Sequence, residues 1–528
     1  MKNGFRQSMA WLHAWSGLVV GWVLFAVFVT GTASYYRTDI TAWMQPELTR
    51  EAALAGSQTA LDLPRAAEIG IAHLQTHAVG ARSWFIGLPQ PDKPVIDLFW
   101  RMKPGAPPGI ARLDARTGEP AVMRDTKGGD FLYRFHFELH LPPIWGRWIV
   151  GICAMIMLVA LISGIVTHRR IFADFFTLRR DKSAQRGWLD AHNVTGVLAL
   201  PYHLMITYTG IVTLAMMYMP WGVTAAYNGD ATRFYAETAQ ITTQRPPVGQ
   251  PGTLAPIGPM VARAVATIHE PLERVSIVNP GDARATVIAI FEEPHGLAHQ
   301  HPQIAFDGTT GEVVEILQGG LKPAAKTFTT MVGLHEAHFA GPALRILFFL
   351  CGLMGCAMVA TGLVLWSVAR LPKPGETSFL GLRVVQALNI GTVIGLPGGI
   401  AVYFLANRLL PLGLAGRADW EIRAFFGAWA VMTVVPLFRP HRAAWREMAI
   451  TAAFLFLAVA LADLVTAAAP SPSALLRHDP RFLWFDAAMV ALAGLFALCA
   501  HKVAQFKTQR RTKPAIVDRG GSSAPRTA

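Results

Sequence analysis

Long apolar runs, broken by short polar loops, dominate this chain. About eight of them reach the roughly 20 mostly apolar residues that a bilayer crossing needs: 10–36, 143–168, 189–219, 343–368, 384–408, 421–438, 447–468 and 482–504. Two long intervening segments, 37–139 and 220–333, have a different rhythm. In the first, a helix-like stretch (66–73) precedes an alternating run (94–101) and then 111–119. The second repeats that order with 257–269, 285–291 and 304–312. Each ends in Asp-x-x-Thr-Gly-Glu, and Thr-Gly between two β-patterned runs signals a hairpin whose glycine tolerates positive φ. The pattern predicts two copies of one small α+β module.

The crossings repeat as well. His13-x-x-x-Gly17 leads to Thr30-Gly31, and His192-x-x-x-Gly196 leads to Thr209-Gly210, with eighteen residues from His to the second Gly in both. Arg147 to Gly164 and Arg345 to Gly362 both span seventeen residues. Ordered coincidences of this kind mark a duplication. The expected fold is therefore an all-α polytopic membrane protein. Its four-helix core comes from a duplicated helix–module–helix unit, and two small α+β domains sit outside the bilayer. The chain divides into a first crossing (1–36), a module (37–139), a second crossing (140–168) and a basic loop (169–188). A third crossing (189–219), a second module (220–333) and a fourth crossing (334–369) follow. Four further crossings lead to a basic tail (505–528).

Composition agrees: only 15% of the 528 residues are charged and 52% are hydrophobic, against about 25% charged in soluble proteins. The net charge of +13 falls largely in short loops beside apolar runs, which favours topology over a nucleic-acid partner. Arg169, Arg170, Arg179, Arg180, Lys182, Arg186, Arg370, Lys373, Arg439, Arg442, Arg446 and Lys502 share one side when both termini are cytoplasmic. Both modules then lie outside. Arg408, Arg417, Arg477 and Arg481 fall on the outer side and weaken the pattern. Lys2 and Arg6 precede an apolar run far longer than the 7–15 residues of a signal h-region, so a retained anchor is expected. The four cysteines lie inside apolar runs without a CxxC, so neither a disulfide framework nor a zinc site is expected.

Ionisable groups are costly in a bilayer unless they have a partner or a function. His13 and His192 fall at the inner ends of two crossings, and His140 and His335 at the outer ends of two others. Two axial imidazoles commonly hold the iron of an electron-transfer haem. The expected ligands are thus His13/His192 for an inner haem b and His140/His335 for an outer one. His168 and His203 are alternative ligands. His203 lies about 16 Å deeper than His192 at helical rise, which leaves a third haem open. His136 and His338 are alternatives at the outer surface. Arg147 and Arg345 are candidates for propionate contacts, with interfacial snorkelling as the other account. Gly17, Gly21, Gly151, Gly196, Gly352 and Gly355 would admit a porphyrin, although ordinary helix packing also uses such glycines. His295, His299 and His301 cluster in the second module, as a metal contact or a solvated loop. In the last four crossings Asn389, Asn407, Arg408, Asp463 and Asp486 are the polar residues, for a quinol or proton path or for helix–helix hydrogen bonds.

The run Ser163-Gly164-Ile-Val-Thr-His168-Arg-Arg-Ile-Phe-Ala-Asp-Phe-Phe-Thr-Leu-Arg179, with Leu189-Asp-Ala-His192-Asn-Val-Thr-Gly196 and Pro201-Tyr-His203, resembles the PepSY-associated transmembrane helix family. Leu12-His13-x-Trp15 and the stretch 334–345 fit the same pattern, so the resemblance covers roughly residues 8–370. It implies that the two modules are PepSY-like and that the chain serves iron uptake. As in the family's di-haem ferric-siderophore reductases, electrons would pass to an Fe(III) chelate in the periplasm. The chain carries no GxGxxG, so the donor implied is a membrane quinol or a separate cytoplasmic reductase. Two rival readings remain: a haem-free, membrane-anchored PepSY binding or regulatory protein, and an iron or siderophore transporter.

Overall fold

The computed structural model describes residues 4–48, 62–103, 107–167, 184–230, 233–234, 237, 245–372, 379–467 and 480–505. His168, most of the loop 169–188 and nearly all of the tail 505–528 lie outside them. The first half of the duplication contains α1 (Phe5–Ser34), α2 (Arg37–Met44), α3 (Leu63–His77), β1 (Ser83–Gly87), β2 (Val95–Arg101), β3 (Gly109–Asp114), α4 (Gly128–Glu138) and α5 (Pro143–Thr167). The second contains α6 (Ala184–Leu198), α7 (Leu200–Thr213), two short helices α8 (Ala215–Tyr218) and α9 (Trp221–Tyr227), and α10 (Ile257–Thr267). It continues with β4 (Leu272–Val278), β5 (Thr286–Phe291), β6 (Gln303–Asp307), β7 (Val313–Leu317), α11 (Pro323–Glu336) and α12 (Pro342–Val368). A third unit follows: α13 (Leu380–Ile390) and α14 (Leu396–Leu409) joined by a π-helical turn, then α15 (Arg417–Val434), α16 (His441–Ala467) and α17 (Pro480–Gln505).

Among the described residues, seven helical segments are long and apolar enough to cross a bilayer, and the bent pair α6–α7 makes up to eight. The protein is a multi-pass membrane protein. Helix α5 shows why: it buries Cys153, Met157 and Leu161 against its neighbours while Ile152, Val159 and Ile162 stay exposed, apolar on all sides. The third crossing is not one straight helix. It breaks by 68° at Ala199, where Pro201 removes a backbone donor and its ring obstructs the preceding turn.

The two modules are not separate sheets. Their strands form one seven-stranded antiparallel sheet in the order β3-β2-β1-β4-β5-β6-β7, joined where Ser83 faces Val278 and Gly87 faces Arg274. Strands β1 and β4 lie outside the β-patterned runs read from the sequence. Their pairing covers an edge that each module alone would leave open. Helices α3 and α10 pack on the sheet through Ala67, Leu74, Val261 and Ala264 against Ile86, Leu98, Ile277 and Ile304. The paired hairpins are equivalent in detail. Asp114 accepts the backbone N–H of Arg116 and Thr117, and Asp307 those of Thr309 and Thr310. Gly118 and Gly311 follow at φ 75° and 76°. Burial raises the pKa of Asp307, but hydrogen bonds from Thr309 and Arg245 more than offset it and hold the carboxyl below its ordinary value.

The third unit grips the first half. Trp43 of α2 is fully buried and stacks on Phe485 of α17 at 4.1 Å. The Tyr403 hydroxyl donates to the Gly128 carbonyl at the start of α4, and Phe131 and Phe135 pack on Phe425. Arg408 pairs with Asp463 at 2.5 Å, and Arg417 pairs with Glu421, all buried. These two arginines are therefore internal ion pairs and do not count as loop charges in the topology argument. Asn407 donates to Glu421, and Asn389 donates to the Leu363 carbonyl while accepting from Trp22. The polar residues of the last crossings thus join helices. None of the four cysteines forms a disulfide with a described residue.

Candidate functional site

Four imidazoles meet in two pairs, and each sits in the same kind of notch. His13 of α1 lies against Gly164 of α5, where an added Cβ would stand 3.2 Å from the ring. His192 of α6 lies against Gly362 of α12 at the same 3.2 Å. His136 of α4 lies on Gly31 of α1, and His335 of α11 on Gly210 of α7, with distances of 2.6 and 2.8 Å to a Cβ placed there. A side chain on any of these glycines would collide with the ring or force it aside.

In every case Nδ1 bonds the carbonyl four residues before the glycine. The partners are Ala160 for His13 (2.8 Å), Met358 for His192 (2.8 Å), Val27 for His136 (2.8 Å) and Ile206 for His335 (3.1 Å). The hydroxyl just before each glycine donates to the same carbonyl: Ser163 at 3.1 Å, Thr361 at 3.0 Å, Thr30 at 3.4 Å and Thr209 at 3.3 Å. Only a protonated Nδ1 can donate to a carbonyl, so each neutral ring keeps its lone pair on Nε2. The duplicated Ser/Thr-Gly pairs of the sequence are therefore seats for histidines.

The ring centres of His13 and His192 are 6.1 Å apart, and those of His136 and His335 are 6.0 Å apart. A metal–imidazole bond of about 2 Å on each side, with roughly 1 Å more to each ring centre, gives about 6 Å. The spacing and the free Nε2 atoms fit two bis-imidazole iron sites. Val27 lies fourteen residues beyond His13 on α1, about 21 Å at helical rise, so the pairs are stacked along the bundle. His203 lies fully buried with its ring 5.9 Å from that of Phe28, the residue after Val27. Neither of its ring nitrogens has a hydrogen-bond partner of normal geometry among the described residues.

His13 and His192 come together as the sequence led one to expect; His140 and His335 do not. His136 faces His335 instead. Helix α4 ends at Glu138, and Leu139 and His140 both adopt left-handed backbone, φ 53° and 56°. The turn leaves His136 on the face toward α1 and carries His140 toward α15, where its ring is 5.5 Å from that of Phe426. There it lines a pocket with Asp419, Ile422, Arg423 and Phe426. The sequence held a clue: each half has two close histidines at this place, His136/His140 and His335/His338. The first of each pair is the one that turns inward.

Arg147 and Arg345 are not equivalent in their contacts. Arg147 pairs with Glu138 at 2.6 Å. Arg345 is half-buried near Tyr36 and makes no ion pair with a described residue. Of the small residues, Gly21, Gly151, Gly352 and Gly355 face Leu363, Tyr218, Thr32 and Phe28, so they serve helix packing; Gly196 touches Met358. Gly17 has open space where a Cβ would be. His73 and His77 stack on each other on the outer side of α3.

Residues 10–369, more than half of the chain, match the PepSY-associated TM region family, and the chain belongs to that family. A curated relative is the uncharacterized protein PA4219 of Pseudomonas aeruginosa. It is 26% identical over 338 residues, covering 59% of this chain and 80% of the relative.

Proposed function

We propose that this protein is a bacterial inner-membrane di-haem b-type cytochrome that reduces a ferric siderophore in the periplasm. The observation that carries the reading is the fourfold notch: two pairs of imidazoles, each anchored through Nδ1, with ring centres 6.1 and 6.0 Å apart. His13 and His192 would hold the inner haem, and His136 and His335 the outer one. Bound haem supplies a reversible one-electron carrier. The chain's own contribution is orientation. The carbonyls of Ala160, Met358, Val27 and Ile206 fix each tautomer and make Nε2 more basic, as partners behind a metal ligand do. The surrounding helices exclude water and lower the local dielectric. The buried ring of His203 lies beside Phe28 in the same bundle.

Family membership supports a role in iron uptake. Basic loops on one side support cytoplasmic termini, with the seven-stranded sheet in the periplasm, and the internal ion pairs of Arg408 and Arg417 remove two exceptions to that rule. A membrane quinol or a separate cytoplasmic reductase would supply electrons. Fe(III) reduction weakens the chelate, because hard oxygen donors favour the more highly charged ion.

The test is haem content and a reduced-minus-oxidised spectrum of the full chain purified from haem-replete cells. A b-type spectrum with two haems per chain is expected. Protein without haem would overturn the reading. His192→Ala is expected to lose about one haem, leaving the second haem not reducible from the cytoplasmic side.

A further inference from the structure

The loop between β5 and β6 is clamped onto the helix that carries His335. The His299 N–H donates to the Thr329 carbonyl of α11 at 3.0 Å. The Leu297 carbonyl approaches so closely that a Cβ on Gly333 would lie 1.9 Å from it. This segment is therefore held in place, two residues of α11 away from His335. What it holds is a convergent donor set. Ligand atoms of Glu293, His299 and His301 all lie within 4.8 Å of one another. The Glu293 side chain is 11% exposed. His301 Nδ1 bonds the Phe291 carbonyl at 2.8 Å, which leaves its Nε2 facing Glu293 at 3.6 Å. That is the same device that orients the four histidines of the bundle. Around the three stand Glu336, directly after His335 and 3.6 Å from His299, and His338, 3.0 Å from Glu336.

We infer that Glu293, His299 and His301 form a binding site for a divalent transition-metal ion, and that its occupant is the Fe(II) released at the outer surface. Two imidazoles and one carboxylate suit Fe(II). Hard oxygen chelators prefer Fe(III), so reduction shifts the preference from the chelate toward this nitrogen-rich site. The transfer moves no electrons. The ion's bonds to the chelate oxygens break, bonds to the three side chains form, and the released chelate takes up protons from water. The identity of the ion rests on the reductase reading; the metal site itself does not.

The experiment uses the full purified chain, made with 57Fe-depleted iron and given 57Fe(II) anaerobically, so that Mössbauer spectra report the added iron. One bound high-spin Fe(II) per chain with nitrogen and oxygen ligands is expected. The double variant His299→Ala/His301→Ala should weaken binding by more than about tenfold, with haem per chain unchanged. Glu293→Gln, nearly isosteric, should weaken it similarly and guards against a folding artefact. Binding equal in all three proteins, or no bound 57Fe(II) in the unaltered chain, overturns the inference even if two haems are present. Site-dependent binding in a haem-free chain supports the metal site and removes the reductase reading.

Discussion

His136→Ala is expected to lower haem content from two to about one per chain and to abolish reduction of ferric chelates. His140→Ala is expected to leave both haems in place. The two residues are one helical turn apart in sequence, so only their surroundings separate them. His136 is anchored to the Val27 carbonyl and seated on Gly31, with its ring 6.0 Å from that of His335. His140 lies past the end of α4 against Phe426. On the proposed di-haem reading, an alanine at 136 would remove one of two axial ligands, whereas an alanine at 140 would remove a wall of a surface pocket. The measurement is haem quantification with low-temperature difference spectra of each variant. Loss of haem in His140→Ala with retention in His136→Ala would reverse the assignment. A subtler companion is Gly31→Val, which keeps His136 but fills its seat. It should shift the potential or occupancy of that haem while sparing the His13/His192 haem.

The second large effect concerns the last four crossings. Glu421→Ala is expected to destabilise the protein by about 3–5 kcal/mol, because it strands the buried Arg417 charge. Both side chains are fully buried, and Glu421 also accepts from Asn407 and Thr126. Thr126 lies just before α4, and Tyr403 fixes that helix at Gly128. The damage should therefore reach His136. Thermal unfolding followed through the haem absorbance checks this: the His136/His335 haem should be released at lower temperature than the His13/His192 haem. Replacing both partners with apolar residues, Arg417→Met with Glu421→Leu, should recover part of the stability, since it leaves no uncompensated charge although Asn407 and Thr126 lose their acceptor. A Glu421→Ala protein as stable as the parent would mean that the ion pair is not buried in the membrane-embedded protein. The third unit would then act as a positioning scaffold for the outer pair by its aromatic contacts alone.

The membrane class, the duplication and the inner pair could be read from the chain because they rest on local, periodic properties. Apolar length reports a crossing directly. The equal distances from His13 to Gly31 and from His192 to Gly210 survive because helical rise turns sequence spacing into depth. The meaning of those glycines was hidden, since His13 sits on Gly164 and His136 on Gly31, each across a helix–helix contact. No spacing along one helix encodes that. The fusion of the two modules was hidden for a similar reason: β1 and β4 lie far apart in the chain, and their pairing satisfies edges that neither module reveals alone.

Sequence pattern was therefore sufficient for the apolar crossings and the repeated unit, both of which are short-range or translational features. Choosing between His136 and His140 was not within its reach. That choice depends on where α4 ends and on two consecutive left-handed residues, Leu139 and His140, the second with its ring against Phe131 of α4 and Phe426 of α15. The same holds for Arg408 and Arg417, whose charges look like loop charges in the sequence but are neutralised by Asp463 and Glu421 inside the fold. A bilayer rewards every apolar run alike, so which polar groups face one another across it is set by the packing of helices distant in the chain.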